Sequence, residues 1–153
     1  CRIDEGAVSV LEVAARPIGG LCARALRFAG IADVGPMSLE EALLRHAIGE
    51  APDAWTREAA ASGVMMIPIP RRGVLRGVAG IAGARQVAGI DDVRITAKDD
   101  QVLIPLPEGA SYLGFIFARG LRPDHVETAL RTAHAQLQFS IDPEMRVVQS
   151  SNG

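Results

Sequence analysis

The stretch VLEVAARPIGG, residues 10–20, sets a glutamate and an arginine into an otherwise apolar run that ends in Pro17-Ile18-Gly19-Gly20. Carboxylate oxygens such as those of Glu12 bind Mg²⁺ while leaving room for phosphate oxygens. A guanidinium such as that of Arg16 offers a planar fork that neutralises a phosphoryl group or its transition state. If the run is a strand, Glu12, Ala14 and Arg16 share one face. At about 3.3 Å per residue the two charges then lie roughly 13 Å apart, too far for a direct ion pair. That separation suits an extended polyanion held at one end through a metal and at the other directly. Gly19 and Gly20 would open onto a helix beginning at Leu21, whose free N–H groups could receive an anion. The same charges also fit a solvated sheet face, and Pro-x-Gly-Gly is a common strand-to-helix turn.

The elements that must position these residues follow from the flanking pattern. Cys1 to Asp4 reads as the tail of a strand, Glu5-Gly6 as a turn and residues 7–16 as the return strand, a hairpin with a shortened first arm. This start is expected of a fragment of a longer protein. Residues 21–29 (LCARALRFA) read as a short helix stopped by Gly30. Ser38 and Glu41 form a capping-box pattern for a helix to about Ile48, with Gly49 as its stop. Beyond Gly63 the pattern turns strand-rich. GVMMIPIP is confined to an edge by Pro68 and Pro70, and VLRGV, DVRITAK, QVLIPLP and SYLGFIFARG extend. A small-residue helix is expected over 78–88, and Pro123 opens a last helix with an apolar stripe at Val126, Leu130, Ala133 and Leu137. Strands following strands predict an α+β fold with an antiparallel sheet rather than a doubly wound parallel one. The expected divisions are 1–62, 63–142 and a loose tail over 143–153.

Composition narrows the function. Of the 153 residues 48% are hydrophobic and 22% charged, with a formal net charge of −2, which is ordinary globular balance. With no basic block longer than Arg71-Arg72, no nucleic-acid partner is expected. No apolar run reaches the roughly 20 residues of a membrane span, so no membrane partner is expected either, and the two cysteines fit a reducing, cytoplasmic setting.

The string LEVAARPIGGLCARAL resembles the last nucleotide-site strand and following segment of ATP-grasp carboxylate–amine ligases, the group that includes the bacterial L-amino acid ligases. GASYLGFIFARG and DHVETALRTAHAQLQF resemble the C-terminal subdomain of the same proteins. The resemblance implies the end of an ATP-grasp domain followed by its C-terminal subdomain, with ATP and Mg²⁺ as cofactors of the full-length parent. It implies Glu12 as a ligand of Mg²⁺ on ATP and Arg16 as the catalytic group on the transferred phosphoryl and the acyl phosphate. Gly19 and Gly20 would lie against the nucleotide. Ala14 stands where the family usually has a metal-binding Asn, a departure that fits the amino-acid ligase branch. The implied partners are the remainder of the ATP-grasp protein and small carboxylate and amine substrates, and the fragment alone is expected to be inactive. The rivals are a carboxylase-like or purine-synthesis member of the same superfamily, and a non-catalytic module that forms a homodimer through an open edge of the SYLGFIFARG strand.

Other residues carry weaker signals. His46, His125 and His134 fall on helices, but His125 and His134 are not spaced as a metal pair. Cys22 reads as a small buried residue. Gly77, Gly80 and Gly83 fit close helix packing better than a phosphate loop, and Arg71 and Arg72 read as a solvated turn tip.

Overall fold

A computed structural model describes residues 1–14, 16, 18, 19, 21–29 and 35–144. They fall into two compact units, Cys1–Arg57 and Glu58–Gly153. Every strand pairing is antiparallel, and helices accompany the sheets, so the α+β fold class holds.

In the first unit, β1 (Arg2–Asp4) and β2 (Ala7–Ser9) form a hairpin. Its turn residues Glu5 and Gly6 both have positive φ, 45° and 83°, as a tight two-residue hairpin turn requires. The expected helix over 21–29 is absent. A single 3₁₀ turn, Cys22–Ala25, is followed by β3 (Arg27–Ala29). Leu21 occupies the cap position without a side-chain oxygen to offer. Phe28, by contrast, has Met37 and Arg57 to pair with, on β4 (Met37–Ser38) and β5 (Thr56–Arg57).

Helix α1 (Leu39–Ala47) starts as expected: the Glu41 N–H donates to Ser38 Oγ at 3.1 Å. The reciprocal half of the capping box does not form. Instead the Glu41 carboxylate accepts from Arg45 Nε and Nη2 at 2.9 and 2.8 Å. Those bonds and Glu50 push the Arg45 guanidinium above its ordinary value. Because one hydroxyl carries the cap, Ser38→Ala should cost about 1 kcal/mol, read as an earlier denaturant midpoint. Serine-to-threonine at the same position should keep most of it.

The second unit runs β6 (Ala61–Ile67), β7 (Gly73–Ala79), α2 (Ile81–Arg85), β8 (Ile90–Ile95), β9 (Val102–Leu103), β10 (Gly114–Gly120), α3 (Pro123–Gln136) and β11 (Gln138–Asp142). Among the described residues it holds two three-stranded sheets, ordered β6-β10-β8 and β11-β7-β9. GVMMIPIP does form an edge, with both prolines past the end of β6. SYLGFIFARG is the middle of its sheet, bonded on both sides, so it offers no open edge for a second copy. The reason is its composition: Gly114 to Ala118 are all buried, and a strand apolar on both faces belongs at the centre.

The core joins both sheets and the helices, with Ile67, Leu75, Val93, Leu103, Leu113 and Ile116 as its largest fully buried side chains. Helix α3 buries Val126, Ala129, Leu130 and Ala133, the stripe its period predicts. Gly63 lets it press on the sheet. A Cβ there would come within 2.8 Å of Val126 Cγ1 and 3.2 Å of Leu130 Cδ1.

Two further expectations change. The small-residue helix is only five residues long, because Val78 and Ala79 extend β7 opposite Phe139 and Gln138. The last strand, β11, follows α3 in a stretch of the C-terminal subdomain where no element was expected. Arg71 donates to the Ile141 carbonyl, Arg72 to Glu144 at 2.7 Å, and Arg76 to Asp142 at 2.7 Å. Arg71 and Arg72 are therefore not a merely solvated turn tip; they hold the returning strand. Most of the expected loose tail, residues 145–153, lies outside the described residues.

Candidate functional site

The ladder that should carry the candidate site closes early. Ser9 pairs with Arg2, the last pair of that ladder among the described residues. Residues 10–14 are in no strand, and Arg16 sits in a bend. The expectation that Glu12, Ala14 and Arg16 share a strand face therefore has no ladder behind it, and the 13 Å spacing lapses with it. Pleating is regular only where a neighbouring strand enforces it.

Glu12 and Arg16 are both exposed. Among the described residues neither has a hydrogen bond or ion pair. The Arg16 guanidinium lies back over the turn, with Nη1 3.5 Å from where a Cβ on Gly19 would be. Gly19 and Arg16 are thus neighbours. Gly20, with Ala15 and Pro17, falls outside the described residues. The anion site expected at a helix opening on Leu21 has no helix: the 3₁₀ turn is four residues long, too short for a useful dipole.

The segment is also apolar and uncovered. Val10, Leu11 and Val13 are 68%, 73% and 86% exposed, and Ile3 and Val8 of the hairpin 70% and 64%. Isolated exposed aliphatics are normal, but a contiguous run of them marks an interaction surface.

The secondary candidates resolve. His46 lies on α1, and His125 and His134 on α3; among the described residues no three histidine, cysteine or acidic side chains gather as a metal site. Cys22 is half-buried rather than buried, and Cys1 is exposed. Gly77 lies in β7 and only Gly83 in α2, so the three glycines do not form one loop. Sequence reasoning missed a groove of about 360 Å³ lined by Arg24, Leu26, Arg27, Pro36, Ser38 and Glu40. The bend from 3₁₀ turn to strand creates it, and a helix over 21–29 hid it. It also missed Arg119, which pairs with Glu58 and, at 3.1 Å, with Asp91. The alternation in RGLR-flanked strands gives no hint of such a contact across 61 residues of sequence.

The family model for L-amino acid ligase C-terminal domain 2 matches residues 65–142, half of the chain. The chain belongs to that family. The matched L-amino acid ligase domain runs from within β6 to the end of β11, so it includes all of the second unit's sheets and helices except the first residues of β6. No curated protein matches. Among solved structures, the crystal structure of L-amino acid ligase from Bacillus licheniformis is similar, with TM-score 0.51 and 19% identity over 70% of this chain. At that identity the likeness is one of fold. The alignment spans 24% of the Bacillus chain, about a quarter of its length. The resemblance to carboxylate–amine ligases of the ATP-grasp kind, carried in sequence by residues 11–26, 109–120 and 124–139, is thus met on residues 65–142. No helix among the described residues is long and apolar enough to cross a membrane.

Proposed function

We propose that this chain is the C-terminal portion of an ATP-dependent carboxylate–amine ligase that works through an acyl phosphate. The observation that carries the reading is the ligase-domain match on residues 65–142, joined in one chain to the Glu12–Arg16 segment. On this reading residues 1–62 close an ATP-grasp domain and residues 63–142 are its C-terminal subdomain. The exposed apolar residues from Ile3 to Val13 then face the remainder of the ATP-grasp protein.

Glu12 would hold Mg²⁺, and Arg16, beside the Gly19 turn, would bind the phosphoryl in flight and the acyl phosphate, with Gly20 completing the nucleotide contact. Bound Mg²⁺ supplies charge neutralisation of the ATP phosphates. The exposed carboxylate of Glu12 fits a hard cation, which takes one or two carboxylates together with substrate phosphates. Ala14 adds no ligand. The rest of the site therefore belongs to the remainder of the protein, and the isolated chain should neither hydrolyse ATP nor bind it tightly. The parent's substrates would be a small carboxylate and an amine.

Glu12→Gln in the full-length ligase tests this reading. The substitution keeps size and hydrogen bonding but removes the charge a divalent cation needs. Half-saturation by Mg²⁺ should rise about tenfold or more, the scale on which metal sites lose affinity even for outer-shell changes. Stability should stay within roughly 0.5 kcal/mol, as for other exposed substitutions. An unchanged Mg²⁺ titration would make Glu12 a solvated surface residue.

A further inference from the structure

We propose that β6 is the seam of a two-fold dimer, pairing antiparallel with the β6 of a second copy about an axis at Val64. Sheet edges expose unpaired N–H and C=O groups, and proteins blunt them with charges, prolines, bulges or shortness. The other edges of the second unit are blunted in these ways. Strand β8 carries Asp91, Asp92 and Arg94 and a register shift against β10. Strand β11 ends in Asp142 and has its own register shift, and β9 is two residues long. Strand β6, Ala-Ser-Gly-Val-Met-Met-Ile, has none of these. Its seven residues pair with β10 in unbroken register from Ala61↔Gly120 to Ile67↔Gly114, and among the described residues no strand lies on its other side.

Val64 is the middle residue of β6, so a symmetric pairing places Val64 against its own copy and Ala61 against Ile67. No like charges meet along the seam. An axis perpendicular to the sheet keeps both α3 helices on the same face and runs them antiparallel. Helix α3 has a defined side toward that axis. Ala129 leans toward Gly89 on the β8 side, while Val126 and Leu130 lie over Gly63. Residues one step further round from Val126 and Leu130 are Glu127 and Arg131, about 100° away on the side of the β6 edge. These two form an exposed i,i+4 ion pair at 2.8 Å. They straddle the axis, so the two-fold sets Glu127 of one copy toward Arg131 of the other, and the reverse. An isologous interface requires that self-complementarity. The edge supplies the pairing groups, and the helix charges select a second copy in this orientation.

Sedimentation velocity over a concentration series of the 153-residue chain tests the dimer independently of any ligase chemistry. The expected species has the mass of two chains. Glu127→Arg makes both facing helices positive and Arg131→Glu makes both negative, and each should weaken the dimer about tenfold, since a two-fold repeats every contact. The double variant E127R/R131E should recover it. Val64→Lys opposes two ammonium groups and should abolish it. Both helix positions are well exposed, and circular dichroism should read the same for all three helix variants. A monomer at every concentration, a dimer indifferent to Glu127→Arg, or a double variant that fails to recover would each overturn the proposal.

Discussion

Arg16→Lys in the full-length ligase should lower kcat about a hundredfold or more, the loss that follows removal of one preorganised donor to developing charge. Lysine keeps the positive charge but is a single point, without the two-pronged geometry that fits a planar, transferring phosphoryl. The KM for ATP should move little, because ground-state phosphates tolerate a point charge. The structure supplies the local reason to expect such selectivity. The Arg16 guanidinium already lies 3.5 Å from where a Cβ on Gly19 would be, and glycine places no side chain of its own there. Steady-state kinetics with ATP varied checks the split. If kcat holds and KM rises instead, Arg16 binds the ground state and its assigned role in the chemical step is wrong.

Gly80→Ala should cost the second unit about 2–5 kcal/mol, combining a strained backbone with overpacking. Gly80 has φ of +82°, and a Cβ there would lie 1.9 Å from the Gln136 carbonyl oxygen and 2.9 Å from its carbon. Both neighbours are backbone, at the end of α3, and neither can swing aside. The other two glycines of RGVAGIAGAR are internal controls. A Cβ on Gly77 meets nothing within 4 Å, and one on Gly83 makes an ordinary 3.5 Å contact with Gln136 Oε1. Gly77→Ala and Gly83→Ala should be neutral or stabilising by up to about 1 kcal/mol. Urea unfolding of the three variants separates them. Equal effects at all three positions would mean that α2 can shift away from α3 at little cost.

That contrast also shows where sequence reasoning stops. Three glycines at equal spacing look alike on the page, and only the return of α3 against Gly80 makes one of them irreplaceable. Local signals read well. The Ser38 cap, the hairpin turn at Glu5-Gly6 and the α3 stripe each depend on residues within a few positions, and each formed as expected. The strand pattern from β6 to β10 identified the α+β class because apolar runs between turn residues need no knowledge of their partners. Failures came where a distant partner overrides local preference. Residues 21–29 have helical composition, but Phe28 pairs with Met37 and Arg57. Strand β11 alternates as Gln-Phe-Ser-Ile-Asp, a legible pattern overlooked because it follows the helix without a break. The candidate site was legible as residue types, Glu12 and Arg16 before two glycines. Its geometry was not, since among the described residues the strand assumed to align them ends at Ser9.

The pairing of β7 with β11 bears on how the chain is made. Strand β7 is the middle of its sheet, yet one of its two partners is complete only with Asp142, which Arg76 meets across 66 residues. Synthesis proceeds at about 5–20 residues per second, so β7 waits several seconds on the ribosome with only the two residues of β9 beside it. Contacts between residues so far apart in sequence also form slowly once available. For that interval Val74 and Leu75 have no lasting cover, and a holdase chaperone or a neighbouring nascent chain can reach them.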